Sequence, residues 1–433
     1  MNRLCIRHET KSPWERRAPL APADVAALIN SCNLRIAIEP SSQRVFEDTA
    51  YTDLGAESLA DANAADIVLG VKEIPIESFA AGRTYCIFSH TIKGQPANMP
   101  VLARLIELGC TLIDYELITN DEGRRLVAFG PFAGVAGMID SLWSLGRRLD
   151  AEGIATPFSD IRPAHQYEDI EEAKQAILAA GRRIQADALP AGLAPCVVGV
   201  TGYGAVSRGA QMMLDLLPVQ SIAPDDLGRL HETGGDPRHI YKCVFHEEHL
   251  VERAADGGFE LREYYDQPDR YRSTFASRLS QLTMLVNCIY WEPKYPRLAT
   301  RQDFEGLYAD GGQPRLRVVG DITCDIDGSL ACTTHATTPE DPVYVFDPST
   351  GRTRAGVEGR GPVVLAVDFL PCEVSYDATV AFSLALTPFM PGLAGADFSR
   401  PLEQAGLPPE LERAVIVYRG RLTERFAHLA DCL

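Results

Sequence analysis

The segment Cys196–Pro218, CVVGVTGYGAVSRGAQMMLDLLP, constrains the fold more than any other part of the chain. An apolar run suited to a fully buried strand enters a glycine turn, Gly202-Tyr203-Gly204, and an amphipathic stretch follows and closes at Pro218. VQSI then reads as a second short strand, so the whole predicts the opening of a βαβ unit. In a dinucleotide fold the first two glycines let the backbone turn tightly beneath a pyrophosphate. The helix behind them offers unpaired N–H groups and the positive end of its dipole. The third glycine of a GxGxxG fingerprint would fall at Ser207 and arrives only at Gly209, so the strand and helix context carries the reading. The plain alternative is a strand-to-helix turn that only needs positive φ. A carboxylate for an NAD ribose should end the second strand. There the chain reads SIAPDD, with no acid before Asp225, so NADPH is expected at least as readily as NADH.

The rest of the chain supports an α/β architecture. Aliphatic runs at Leu34–Ile38, Ile67–Val71, Tyr85–Phe88 and Thr111–Tyr115 alternate with helical spacing at Ala23–Ser31 and Met99–Leu108. AGVAGMIDSLWSLGRRLD, after Phe132, predicts a long helix with small residues on one side, suited to close packing and expected to bridge two lobes. Asp169–Ala188 predicts another helix, and Thr283–Cys288 and Arg317–Gly320 predict further strands beyond a polar middle, Asp225–Ser273. The last seventy or so residues return to apolar helix and strand, which would complete the first domain.

Composition removes several classes. With 46% hydrophobic residues in 433, the chain can close one large or two ordinary cores, and its 35 Gly and 29 Pro are dispersed rather than concentrated. Lys plus Arg number 41 against 59 Asp plus Glu, a net charge of -18 that argues against nucleic acid and anionic membrane as partners. The eleven cysteines contain no CxxC pair and read as reduced, mostly buried thiols. No basic-then-apolar leader opens the sequence, and no apolar run approaches the roughly 18 residues of a bilayer span, so the expected location is cytoplasmic. His246 and His249 in HEEHL have a metal-compatible spacing but no third ligand nearby, and read as surface histidines; no metal is expected.

Several motifs are shared with one family: ETKSPWERRAPLAP at Glu9–Pro22, LGVKEIP at Leu69–Pro75, FSHTIKGQPANMP at Phe88–Pro100 and LIDYELITNDEGRRLVAFGPFAGVAGMID at Leu112–Asp140. TGYGAVSRGAQ at Thr201–Gln211, LVNCIYWEPKYPRLAT at Leu285–Thr300 and GDITCDIDGS at Gly320–Ser329 continue the series in order. In these the chain resembles the lysine-ketoglutarate reductase family, related to alanine dehydrogenase and to fungal saccharopine dehydrogenase. The resemblance implies two Rossmann-like domains with parallel sheets and an active-site cleft between them. Residues 1–138 plus 365–433 would form the substrate domain and 139–364 the dinucleotide-binding domain. It also implies NADPH-dependent condensation of L-lysine with 2-oxoglutarate to saccharopine, with NADH as the alternative donor. Small-molecule substrates, subunit association and a stand-alone reductase are expected.

Residue by residue, the resemblance makes Lys72 (of VKE) and His90 (of SH) the acid–base pair that imine formation requires. A lysine paired with Glu73 and a core histidine are the structural alternatives. Arg17 and Arg125 match arginines suited to carboxylates, whose geometry the guanidinium fork fits. Glu116 would hold the ammonium end of the amino substrate or satisfy a neighbouring arginine. Phe129, Gly202, Tyr203, Gly204, Ala205, Val206, Asn287 and Asp321 would contact the cofactor. The chain departs from the family where DGSLAC replaces GGSIEF, placing Ala331 where an acid is common, where Cys288 replaces a glycine, and where LSQL replaces an AP-containing turn. Those departures admit a related opine-type or alanine-dehydrogenase-like reductase acting on another amine and 2-oxo acid. A silent nucleotide-binding regulator would not need Lys72, His90, Arg17 and Arg125 together.

Overall fold

The computed structural model describes residues 1–309 and 314–433. These form two compact units, Met1–Phe129 with Ser375–Leu433, and Gly130–Val374. The helix Gly130–Ala151 therefore belongs wholly to the second unit, whereas the sequence reading divided it at residue 138. The reason lies in its packing: Val135, Met138, Ile139 and Leu142 are buried in the second unit's core.

The first unit is built on a sheet of eight strands. Six are parallel: β1 (Leu4–Ile6), β2 (Ile36–Ile38), β3 (Glu57–Ser58), β4 (Ile67–Leu69), β5 (Thr84–Ile87) and β6 (Thr111–Asp114), in the spatial order β6-β5-β4-β1-β2-β3. The strand Val415–Tyr418 then pairs antiparallel with β6, and Arg421–Leu422 forms the edge, so the end of the chain completes this sheet as expected. LCI, IAI, IVL and TYCI are buried at every position, because helices cover both faces of a parallel sheet. One face packs against Val25, Leu28, Phe382, Leu386 and Met390, the other against Leu102, Leu105, Phe426 and Leu429. Phe382, Leu386 and Met390 lie on the helical stretch Leu370–Gly395. It is long and apolar enough to cross a membrane by length and composition alone, although the sequence reading found no such run. Its inward face is accounted for by core packing, and it carries Glu373 and Asp377.

The second unit carries its own sheet of eight strands. Its members are β7 (Cys196–Thr201), β8 (Val219–Ser221), β9 (Ile240–Phe245), β12 (Met284–Asn287), β13 (Val318–Asp321), β14 (Val343–Asp347), β15 (Arg352–Ala355) and β16 (Val363–Leu365). A separate antiparallel pair, β10 (Val251–Arg253) and β11 (Tyr271–Ser273), lies between β9 and β12 in sequence. The order is β15-β14-β16-β13-β12-β7-β9-β8, parallel except for the β14–β15 hairpin at one edge. Two expectations change here. The VQSI strand is the outermost one and pairs with β9, and the strand beside β7 is β9, inside the segment read as a polar middle. Strand β9 is not legible in the sequence because Lys242 interrupts its apolar run.

The helix Gly130–Ala151 lies against Ala205–Leu214 at backbone distance. A Cβ at Gly134 would stand 1.9 Å from the Val206 carbonyl oxygen, and one at Gly209 would stand 2.0 Å from that of Pro131. Gly209, late for a dinucleotide fingerprint, thus serves helix packing, while Ser207 is fully buried in the place of the third glycine.

Candidate active site

In the first unit, strands β1, β4, β5 and β6 end side by side, and ligands of parallel sheets collect at such carboxyl ends. Each strand hands the chain to charged residues: Arg7 and Glu9 after β1, Lys72 and Glu73 after β4, His90 after β5, Glu116 after β6. Buried Glu9 accepts the backbone N–H groups of Val71 (2.7 Å) and Lys72 (3.1 Å), which fixes the turn carrying Lys72. Burial, then the charge of Glu15, pushes the Glu9 carboxyl up to about 7. Lys72 is half-buried. Glu73 is engaged elsewhere, 3.7 Å from His90 Nε2 and 3.6 Å from Lys11 Nζ.

His90 has φ +52°, a left-handed conformation uncommon outside glycine, and its carbonyl accepts from Asn98 Nδ2 at 2.8 Å. Its ring lies parallel to that of Phe88, 6.3 Å between centroids. The loop is anchored from below by Asp114, fully buried at the end of β6. Asp114 accepts the Ser89 hydroxyl, the Ser89 N–H (3.0 Å) and the Glu116 N–H (2.8 Å), and burial raises its carboxyl pKa.

Arg17 is buried at 3% exposure, with Nε and Nη2 on the two oxygens of Glu15 at 2.7 and 2.5 Å. Its guanidinium carbon lies 4.2 Å from the ring centroid of Phe129, which stacks on Phe382 at 4.6 Å. Phe129 thus belongs to an aromatic cluster of the first unit with Phe88. Glu116 pairs with the more exposed Arg125 at 3.4 Å, the alternative in which it satisfies a neighbouring arginine.

Arg7 was not singled out in the sequence. It is 6% exposed, and among the described residues its Nη1 finds no hydrogen-bond partner. A buried guanidinium with bonding capacity left over is suited to a carboxylate. The signal that could have found it was the strand LCI directly before it.

In the second unit, Gly202, Tyr203, Gly204, Ala205 and Val206 line one cavity of about 590 Å³, a size suited to a cofactor-scale ligand. Gly202 takes φ +80°, and a Cβ there would lie 3.2 Å from Ile289. Gly204 opens on free space and caps the helix Ala205–Leu214 without a side-chain hydrogen bond, leaving its first N–H groups to an anion. These features fit a dinucleotide pyrophosphate. The cavity also takes in residues the sequence reading missed, chiefly Glu247, Tyr264, Tyr265, Tyr290, Trp291 and Asp325.

Asn287 and Asp321 end adjacent strands but are fully buried. Asn287 accepts from Thr201 (2.6 Å) and donates to Asp321 (2.9 Å) and Ser329 (3.0 Å), while Asp321 accepts from Thr323 and Thr333. Their side chains tie together the loops bordering the cavity, to which Thr323 contributes. The Cys288 N–H joins the network through Thr201 (3.2 Å), and Leu279 and Leu282 of LSQL fill the core. His246 and His249 cap the short helix Glu247–Leu250, and the His246 ring packs 4.6 Å from that of Tyr203.

Residues 5–136 match the family alanine dehydrogenase/PNT, N-terminal domain. A solved L-alanine dehydrogenase covers the whole chain with a TM-score of 0.61 at 18% identity, and a transhydrogenase from Sinorhizobium meliloti covers 97% with 0.57 at 15%, which is likeness of fold. The fold so defined is that of alanine dehydrogenase and transhydrogenase. Over 98% of its length the chain is 36% identical to alpha-aminoadipic semialdehyde synthase of Arabidopsis thaliana and to the mitochondrial one of Mus musculus. It is 29% identical to a Neurospora crassa saccharopine dehydrogenase [NAD(+), L-lysine-forming] over 89% of each chain. The chain spans 41% and 47% of the lengths of the two synthases it matches.

Proposed function

We propose that the chain condenses L-lysine with 2-oxoglutarate and reduces the resulting imine to saccharopine, using a nicotinamide dinucleotide. The observation that carries this reading is the placement of Lys72 and His90 at the ends of adjacent parallel strands β4 and β5, within family motifs. Lys72 and His90 handle the protons: one takes a proton from the amine as it adds to the 2-oxo carbon, the other protonates the hydroxyl that leaves as water. Arg17 and Arg125, with Arg7 beside them in role, meet the substrate carboxylates. Gly202–Val206 would hold the pyrophosphate of a reduced nicotinamide dinucleotide, which when bound would supply the hydride for the C=N bond.

Ala331 and Cys288, which depart from the family pattern, favour one second reading: the same chemistry on a different amine or 2-oxo acid. A crossed panel of amines, ammonia included, and 2-oxo acids, followed by dinucleotide absorbance and product mass, separates the two. Turnover that requires both lysine and 2-oxoglutarate supports the first, and turnover with another pair in their place supports the second.

A further inference from the structure

We propose that Glu247 makes this chain select NADH over NADPH. The proposal rests on the reading of Gly202–Gly204 as the pyrophosphate seat. Strands β7 and β9 run parallel in register, Thr201 opposite Phe245, and the Gly202 N–H donates to the Phe245 carbonyl at 2.9 Å. The chain therefore leaves both strands at one level, and the second residue past Phe245 stands beside the glycine turn. That residue is Glu247, and it lines the same cavity. An acid at the end of the strand next to a dinucleotide glycine turn is placed to accept the ribose hydroxyls of NAD(H). The SIAPDD segment, which lacks such an acid, follows the outermost strand instead.

The carboxylate is held in place. Its Oε1 accepts the Tyr265 hydroxyl at 2.6 Å and the Tyr203 hydroxyl at 3.4 Å. Among the described residues no hydrogen bond reaches Oε2, which is left for a ligand hydroxyl. A 2'-phosphate at this position would meet like charge, and the cavity offers it no relief: its lining includes Glu247 and Asp325 and, among the described residues, no lysine or arginine. Two basic groups adjoin the turn. Arg208 Nη1 is committed to the Tyr203 carbonyl at 3.2 Å, and His246 packs its ring on Tyr203. Exposed Glu248 adds a further negative charge next to them.

The test is direct binding to the whole chain, read as energy transfer from tryptophan to the reduced nicotinamide, since Trp291 lines the cavity. NADH is expected to bind at least about tenfold more tightly than NADPH. Glu247→Gln should bring the two within about threefold, and Glu247→Arg should reverse the order. Equal or tighter NADPH binding by the unaltered chain, or an unchanged ratio in Glu247→Gln, overturns the proposal. Binding of neither nucleotide removes both the seat and the selection. NADH preference without turnover of lysine and 2-oxoglutarate upholds Glu247 and removes the proposed substrates instead.

Discussion

Lys72 owes its backbone position to a carboxylate from the neighbouring strand end, since Glu9 takes its N–H along with that of Val71. Replacing the half-buried side chain should therefore affect chemistry far more than folding. Lys72→Met is expected to lower kcat/KM by about 10²–10⁴-fold, with the melting temperature unchanged, in steady-state assays and thermal scans. A second prediction concerns Glu373, buried with Asp140 and 3.3 Å from His165 Nδ1. Burial pushes its carboxyl up to about 8 from an ordinary 4.5. The folded state then retains a proton that the unfolded chain has released, so this group's contribution to stability falls as pH rises from about 4.5 to 8. His165, lowered by burial, acts in the opposite sense, so the comparison must be with a variant. Urea titrations should show Glu373→Gln gaining at least about 1 kcal/mol on the unaltered chain between pH 5 and 8. An unaltered chain that keeps pace with the variant across that range would refute the assignment.

Helix packing yields a sharper test. At Gly134 and Gly209 an added methyl meets backbone oxygen at about 2 Å, and backbone cannot rotate out of the way as a side chain can. Gly209→Ala should cost about 1–3 kcal/mol or more in urea unfolding, whereas Gly192→Ala, where a Cβ meets nothing within 4 Å, should stay within about 0.5 kcal/mol. The same scale explains what was legible in the sequence. The helices Pro22–Cys32, Met99–Glu107 and Ile170–Asp187 lie where apolar spacing predicts them, and β4 to β7, β12 and β13 end within two residues of their expected limits. Strands β1 and β9 were not read. One has three residues, and the other breaks its apolar run with Lys242. Arg7 and Glu247 were missed for the same reason, because each derives its place from the strand before it. Spatial strand order is likewise invisible along the chain: SIAPDD follows the outermost strand, whereas β9, beside β7, leads to Glu247. Lys72 and His90 were accessible because short motifs carried them.

Among the described residues each unit closes its own core, and no buried cluster draws on both. Calorimetry is therefore expected to resolve two transitions. Saturating NADH should raise only that of Gly130–Val374, by the few degrees that about 2–3 kcal/mol of ligand stabilisation produces. A single transition shifted as a whole would show that the units unfold together. The sheet of the first unit is extended past β6 by Val415–Tyr418, some three hundred residues after the strand it pairs with. During synthesis on a ribosome, Gly130–Val374 is a continuous stretch that can fold while still tethered. The β6 edge, by contrast, waits uncovered until Val415–Tyr418 has been translated, and that interval is when the nascent chain has most need of a chaperone.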